Sequence, residues 1–415
     1  MVHKHHYHRI HPRLRGARLA GPQGFPAGSL SPRQVLEAYG FRQNQYAGAL
    51  PVKLGIGSLG GGVVSVDVDH AVAVWGMARP SIVASAVGGG TDDPTTDQDS
   101  NVENMLDLEL MAFTWWWLTG LAADITIIFG PNASGGMKAA TDALVASGVE
   151  VASWSWGAAA TDWGGGERQA LAKSLAAAAA QGVCFCAASG DNSIDDGTGA
   201  PSADYPCSDP NVWAVGGTHL VVSPSGDRQS ESAWGDGRPG DPGGGGGFDP
   251  TIPVPPWQVS ALPAGAIGRG VPDTAANADP RSGWQISANG AWTVVGGTSA
   301  ASPFTAALVA VAKGVAKAVG DGLTTPAVYR EPCACNNITT GSNGDPAGVG
   351  WSPATGLGSP HGSEFVTAVA AYARHEPSPL PARSPPTVAP PAHAPAVKMS
   401  LDDVVRMLQR GWPKG

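Results

Sequence analysis

Between residues 51 and 222, apolar runs of β character alternate with helical stretches, and this alternation narrows the architectures open to the chain. "PVKLGIGSL" predicts a strand ending in the Gly60-Gly61-Gly62 turn. "ADITIIFGP" predicts a strand, "GMKAATDALVAS" a helix, "VEVASWSWG" a strand, and the alanine-rich "ERQALAKSLAAAAAQG" a helix closed by Gly182. "VCFCAASGD" and "NVWAVGGTHL" add two more strands. Such βαβ units imply an α/β fold with a mostly parallel central sheet and helices on both faces. Ligands then bind beyond the C-terminal ends of the strands.

Before this region, "SLSPRQVLEAYGF" (29–41) predicts a serine-capped helix; after it, residues 222–270 are dominated by loops, including "PGGGGGFDP". Residues 1–28 form a basic, His-rich stretch read as a solvated tail, and 29–375 the globular domain. Residues 376–397 read as a Pro-rich spacer, and 398–415 as a short amphipathic helix capped by Ser400 that could dock on a partner or fray. The N-terminal stretch has no apolar segment of the kind a Sec signal needs. Location is therefore left open, with the cytoplasm or a larger assembly expected unless another route exports the chain.

A net charge of -9 argues against a nucleic-acid partner, and no apolar run approaches the length of a membrane span. The five cysteines match no zinc spacing. Cys184 and Cys186 read as core residues of a strand, while Cys333 and Cys335 either pair with Cys207 or stay free.

Residues 291–303, "AWTVVGGTSAASP", set Ser299 on a sharp strand-to-helix turn, as a hydrolase nucleophile requires. Such a serine needs a base. His70, His219, His361 and His375 are the only histidines inside the predicted domain, and none begins a helix rich in glycine and small residues. In "NVENMLDLELMAF" Glu103 and Asp107 stand four residues apart, which puts both carboxylates on one helix face. On its own the spacing also fits two acids facing solvent. Asp191, in "CFCAASGDNS", follows an apolar strand at its C-terminal end, where it serves either chemistry or a helix cap.

Taken together, "ENMLD", "VASWSWG", "AASGD", "YPCSDPNVWAVGGT", "GRGVPDTAANADP", "GGTSAASP" and "GVGWSPATGLGSP" occur in the order found in the sedolisins, serine-carboxyl peptidases of subtilisin-like three-layer fold, and span roughly residues 30–372. The chain resembles that family. The resemblance implies Ser299 as nucleophile, Glu103 as its general base, Asp107 as the carboxylate behind the base and Asp191 as the acid that helps hold the oxyanion. It also implies endopeptidase action through an acyl-enzyme at acidic pH, because Asp191 can donate to an oxyanion only while protonated. The substrate is then a protein or peptide bound as an extended strand along "ASWSWG" (152–157). A catalytically quiet domain serving as a binding module of a larger assembly is the alternative.

The sequence departs from the family in three places. The resemblance implies a calcium ion near the C-terminus, held by two aspartates and backbone carbonyls. Here Asn337 and Ser352 stand where the carboxylates belong, leaving Ile338, Gly348 and Gly350 as backbone donors. Calcium favours six to eight oxygens with charge among them, so no cofactor is expected, calcium being the one candidate. Ser58 occupies a position where some relatives carry a further Glu, and "TWWWLTG" (114–120) reads as an insertion forming a cleft wall, an interface or core.

Overall fold

The computed structural model describes residues 11–12, 15–19, 25, 27–238, 241–316 and 324–376. Two short strands, β1 (His11–Pro12) and β2 (Arg15–Leu19), precede α1 (Pro32–Ala38). Next come β3 (Lys53–Ser58), α2 (Ser65–Trp75), β4 (Ser81–Ala86), α3 (Gln98–Thr119), β5 (Asp124–Phe129), α4 (Gly136–Ala146) and β6 (Val151–Trp154). They are followed by β7 (Trp156–Ala159), α5 (Gly165–Ala180), β8 (Cys184–Ala188), β9 (Asp204–Tyr205), β10 (Val212–Val222) and β11 (Arg228–Ala233). The strands β12 (Gly247–Asp249), β13 (Arg269–Val271), β14 (Thr274–Asn277), β15 (Trp284–Ala288) and β16 (Ala291–Gly296) lead into α6 (Thr298–Ala316). Finally α7 (Pro326–Arg330) and α8 (Gly362–Ala373) complete the described chain.

The central sheet has the order β11-β10-β8-β6-β3-β5-β4, with β14 also paired to β10. Every pairing from β10 to β4 along this path is parallel, and only β11 runs antiparallel. Strand alternation sorts the side chains between the two faces. Leu54, Ile56, Val151, Cys184 and Cys186 join the core that also holds α3, α6 and α8, whereas Ala152, Trp154, Phe185 and Ala187 pack toward α4 and α5. The predicted three-layer α/β arrangement is thus the one found, with Cys184 and Cys186 in the core as expected. No disulfide joins any of the five cysteines.

The termini of α1 and α3 follow from local chemistry. Ser31 and Gln34 form a capping box at α1, with Pro32 in its first turn. Asp97 caps α3 by accepting from the backbone N–H groups of Asp99 and Ser100, and Gly120 in the left-handed conformation ends it. α3 is buried around its circumference, as befits a helix enclosed by a fold rather than lying on one. The three tryptophans belong to its last turns: Trp115 and Trp117 are core, and Trp116 meets Phe113 edge-on. They are not an insertion that walls a cleft. α6 does reach the length and hydropathy of a membrane span, but nearly all of it is buried within the fold.

The N-terminal stretch also differs from expectation. Instead of remaining a solvated tail, β2 adds antiparallel to β16, and β1 adds antiparallel to β7, with His11 opposite Gly157 and Pro12 opposite Trp156. Strand addition uses backbone groups, so a basic composition gives no sign of it. Residues 382–415 separate as a unit of their own. That unit, with the Pro-rich spacer and the C-terminal amphipathic helix, lies outside the described residues.

Candidate active site

Ser299 sits in the first turn of α6, directly after the turn that leaves β16. The two glycines before it have separate causes. A side chain at Gly296 would run into the Ala278 carbonyl at 2.4 Å, and Gly297 has φ +112, which L residues rarely adopt. Gly190, at φ +107, likewise turns the chain after β8 so that Asp191 faces the start of α6. There Asp191 Oδ1 accepts from both the N–H and the Oγ1 of Thr298, each at 2.8 Å. Asp191 therefore caps the helix that carries Ser299, and the cap fixes the acid one residue from the nucleophile.

Glu103 and Asp107 lie one turn apart on α3, both fully buried. No hydrogen bond to either carboxylate oxygen of Glu103 is made among the described residues. Asp107 Oδ1 accepts from Ser155 Oγ at 2.7 Å. Burial pushes the Glu103 carboxyl well above the usual range, and the neighbouring charges of Asp107 and Asp191 push it further, while the Ser299 and Ser155 hydroxyls act against them. Burial likewise raises Asp107, opposed by the Ser155 hydroxyl. Two carboxyls so close in a site without bulk water cannot both ionise readily, so the pair loses its two protons in separate steps. Ser299 Oγ donates to the Ser155 carbonyl at 3.3 Å, and a modest turn of the side chain would release it toward Glu103. The fold thus brings the four predicted residues together. Among the described residues no histidine hydrogen-bonds Ser299: His70 bonds Ser287, His219 pairs with Asp279, and His361 meets the Cys333 carbonyl.

Two residues in this site escaped the sequence reading. Thr298 was visible only as the neighbour of the serine, and Ser155 as a small residue between two tryptophans. Ser58 does not extend the carboxylate pair, since its hydroxyl donates to the Gly60 carbonyl at 3.0 Å. "GRGVPD" supports the frame: buried Arg269 forms a bidentate pair with Asp273, at 2.8 and 2.6 Å, and Tyr329 donates to the same carboxylate.

The loop matching the family's calcium site is closed by its own side chains. The Asn337 side-chain amide donates to the Gly350 carbonyl at 3.2 Å and to that of Gly348 at 3.5 Å, which places N–H groups against oxygens a cation would need. Ser352 is buried with its hydroxyl against Thr355 Oγ1. Ile338, Gly348 and Gly350 supply no negative charge, and among the described residues no cluster of three His, Cys, Asp or Glu could hold a metal ion. These residues do not fit calcium.

The edge of β7 accepts a strand, since β1 pairs with it beside Ser155. This is the geometry an extended peptide would use.

Comparison with known proteins matches residues 81–332 to the subtilase family. Kumamolisin of Bacillus sp. (strain MN-32) is 35% identical over 384 residues, covering 87% of this chain and 67% of that protein. Sedolisin of Pseudomonas sp. (strain 101) is 29% identical over 325 residues, covering 71% and 53%. The chain thus spans two thirds of the first relative and about half of the second. Among solved structures, Pseudomonas sedolisin, a serine-carboxyl proteinase complexed with two molecules of pseudo-iodotyrostatin, superposes with a TM-score of 0.72 at 25% identity, covering 85% of this chain and 99% of that one.

Proposed function

The chain belongs to the sedolisin family of serine-carboxyl peptidases, and from that membership we propose that it is an endopeptidase that cleaves peptide bonds at acidic pH through an acyl-enzyme on Ser299. The observation that carries this reading is the buried pair Glu103 and Asp107, packed with Ser299 and Asp191 in a site where no described histidine hydrogen-bonds the serine. Glu103 takes the proton from Ser299 Oγ as the oxygen attacks the substrate carbonyl, so the negative charge passes from the carboxylate to the carbonyl oxygen, and Asp107 helps to keep the proton on the pair. Asp191, with Oδ1 already occupied by Thr298, offers a protonated Oδ2 to the developing oxyanion. Glu103 then returns its proton to the leaving amine, and water repeats the sequence to free the acid.

A protein or peptide substrate would lie as an extended strand along the β7 edge in place of β1, which pairs with that edge in this structure. The C-terminal loop closes without a metal: the Asn337 amide ties Gly348 and Gly350 where a cation would otherwise do so. Labelling with a peptide aldehyde at about pH 4 tests the nucleophile, a pH at which a carboxyl–serine site is expected to be competent. Modification mapped to Ser299 supports the reading; none at Ser299, in a chain that cleaves peptides, removes it.

A further inference from the structure

We propose that Ser155 is a positioning residue for the carboxylate pair, holding Asp107 through its hydroxyl and Ser299 through its backbone carbonyl. The proposal rests on the catalytic reading above. Ser155 is the single residue between β6 and β7 and is fully buried. Alternation along the strand turns Ser153 and Ser155 to the same face, toward α6. Residues 299 and 302 lie three apart on α6 and so face the same way. The two pairs meet: Ser153 Oγ contacts Ser302 Oγ at 2.8 Å, and Ser155 Oγ lies 3.3 Å from the Ser299 carbonyl. These contacts fix the register of α6 against the sheet.

The Ser155 hydroxyl has one hydrogen to give. Its approach to Asp107 Oδ1 is 2.7 Å, against 3.3 Å to the Ser299 carbonyl, and a carboxylate is the stronger acceptor. The proton therefore goes to Asp107. The groups acting on that carboxyl are Ser155 from the β6–β7 junction and Glu103 on its own helix and, through Glu103, Ser299 on α6 and Asp191. Among the described residues no Lys, Arg or His forms an ion pair with Asp107. The Ser155 hydroxyl is accordingly the group that favours the ionised form of Asp107. It does so from the residue whose carbonyl receives the nucleophile's hydrogen bond, so the distance from base pair to serine is set at one point.

The test uses the full chain with Ser155→Ala, Ser155→Thr and Ser155→Cys, following kcat, KM and the pH profile of peptide cleavage. Loss of a hydrogen bond to a charged group predicts a fall in kcat of about 10- to 100-fold for Ser155→Ala, with KM changed less than about twofold. The acid limb should move up by about one pH unit, because the Ser155 hydroxyl opposes the rise of Glu103 itself as well as that of Asp107 and is then missing. Ser155→Thr keeps the hydroxyl and should leave the limb in place. A role in packing alone would lower Tm without moving the limb. Wild-type kcat and an unmoved limb in Ser155→Ala overturn the proposal. If that variant does not fold, Ser155→Cys keeps the volume with a weaker donor, and an unmoved limb there overturns it equally. Turnover retained in Ser299→Ala would instead defeat the catalytic reading itself, whatever Ser155 does.

Discussion

The side-chain amide of Asn337 donates to the backbone carbonyl of Gly350 at 3.2 Å, so a neutral hydrogen bond closes the loop that the family's fold would close with a cation. An N–H aimed at a carbonyl repels a metal ion, and among the described residues no cluster of three ligating side chains supplies the charge calcium requires. The melting temperature should therefore be the same, within about 1 °C, in excess calcium and in excess chelator, since a ligand that binds neither state shifts no equilibrium. Asn337→Asp together with Ser352→Asp should introduce the dependence, seen as a calcium-induced rise in Tm. A chelator-induced fall in the wild-type Tm would show that the loop does hold a metal.

Asp191 owes its position to Thr298, which gives Oδ1 two hydrogen bonds. Asn at this position can accept the same two bonds and still present an N–H to the oxyanion, at any pH. On the proposed mechanism, in which only a protonated Asp191 donates to the oxyanion, Asp191→Asn is thus expected to extend activity toward neutral pH. On the acid limb Asp191 is protonated in the proposed mechanism and carries no charge, so Asp191→Asn should leave that limb in place and widen the profile on its neutral side alone. Asp191→Ala has no donor and should lose about 100-fold or more in kcat. A neutral limb unmoved in Asp191→Asn would assign that limb to another group.

Glu109, on the same helix as the catalytic pair, is buried with its carboxyl raised first by burial and then by the charge of Asp67; the Ser287 N–H to Oε2, at 3.0 Å, opposes the rise. A carboxyl whose folded pKa lies above its unfolded value stabilises the fold below the unfolded pKa, and that stability is lost as pH rises through the folded pKa. Glu103 and Asp107 act in the same sense. Asp279, drawn down to about 2 despite burial by hydrogen bonds from His219 and Arg281, acts in the opposite sense, its contribution being lost only as pH falls toward that value. The chain should therefore be more stable near pH 4 than near pH 7. Glu109→Gln mimics the protonated form and keeps the acceptor for Ser287. It should raise Tm by a few degrees at pH 7 and leave it nearly unchanged at pH 4, as thermal melts at the two pH values will show.

The sequence made the site legible wherever a residue type is bound to a local pattern. The four-residue spacing of Glu103 and Asp107, the strand-end placement of Asp191 and the glycine turn before Ser299 each follow from helix or strand geometry within a few residues. Ser155 was not legible, because its partners are 48 and 144 residues away and a serine between tryptophans has no pattern of its own. The pairing of β1 with β7 was hidden for a related reason, since a backbone ladder leaves little mark on side-chain identity. In the calcium loop the missing carboxylates could be read directly, but the reversal of Asn337 from ligand to donor needed coordinates. Cleft wall, interface and core were all open for the tryptophans of "TWWWLTG", because three bulky apolar residues in a row carry no facial pattern, and core is the reading that holds for Trp115 and Trp117 in a helix buried on all sides.

The roles of Glu103 and Asp107 separate through the pH profile. Glu103→Gln removes the base and should reduce kcat by at least about 1,000-fold at every pH, since no other described group is placed to take the Ser299 proton. Asp107→Asn keeps the acceptor for Ser155 Oγ but removes the charge that pushes Glu103 upward. The Glu103 carboxyl then falls toward its ordinary value and ionises at lower pH, so the acid limb should shift downward. A base with a lower pKa is a weaker one, so kcat should fall too, by about 10- to 100-fold rather than to background. The decisive comparison is between the two variants: partial activity with a downward-shifted limb in Asp107→Asn, and near-complete loss in Glu103→Gln. Equal losses in both would mean that the carboxyls act as one unit carrying a shared proton. An upward-shifted limb in Asp107→Asn would mean that Asp107 favours ionisation of Glu103, the reverse of the electrostatics of a buried like-charged pair.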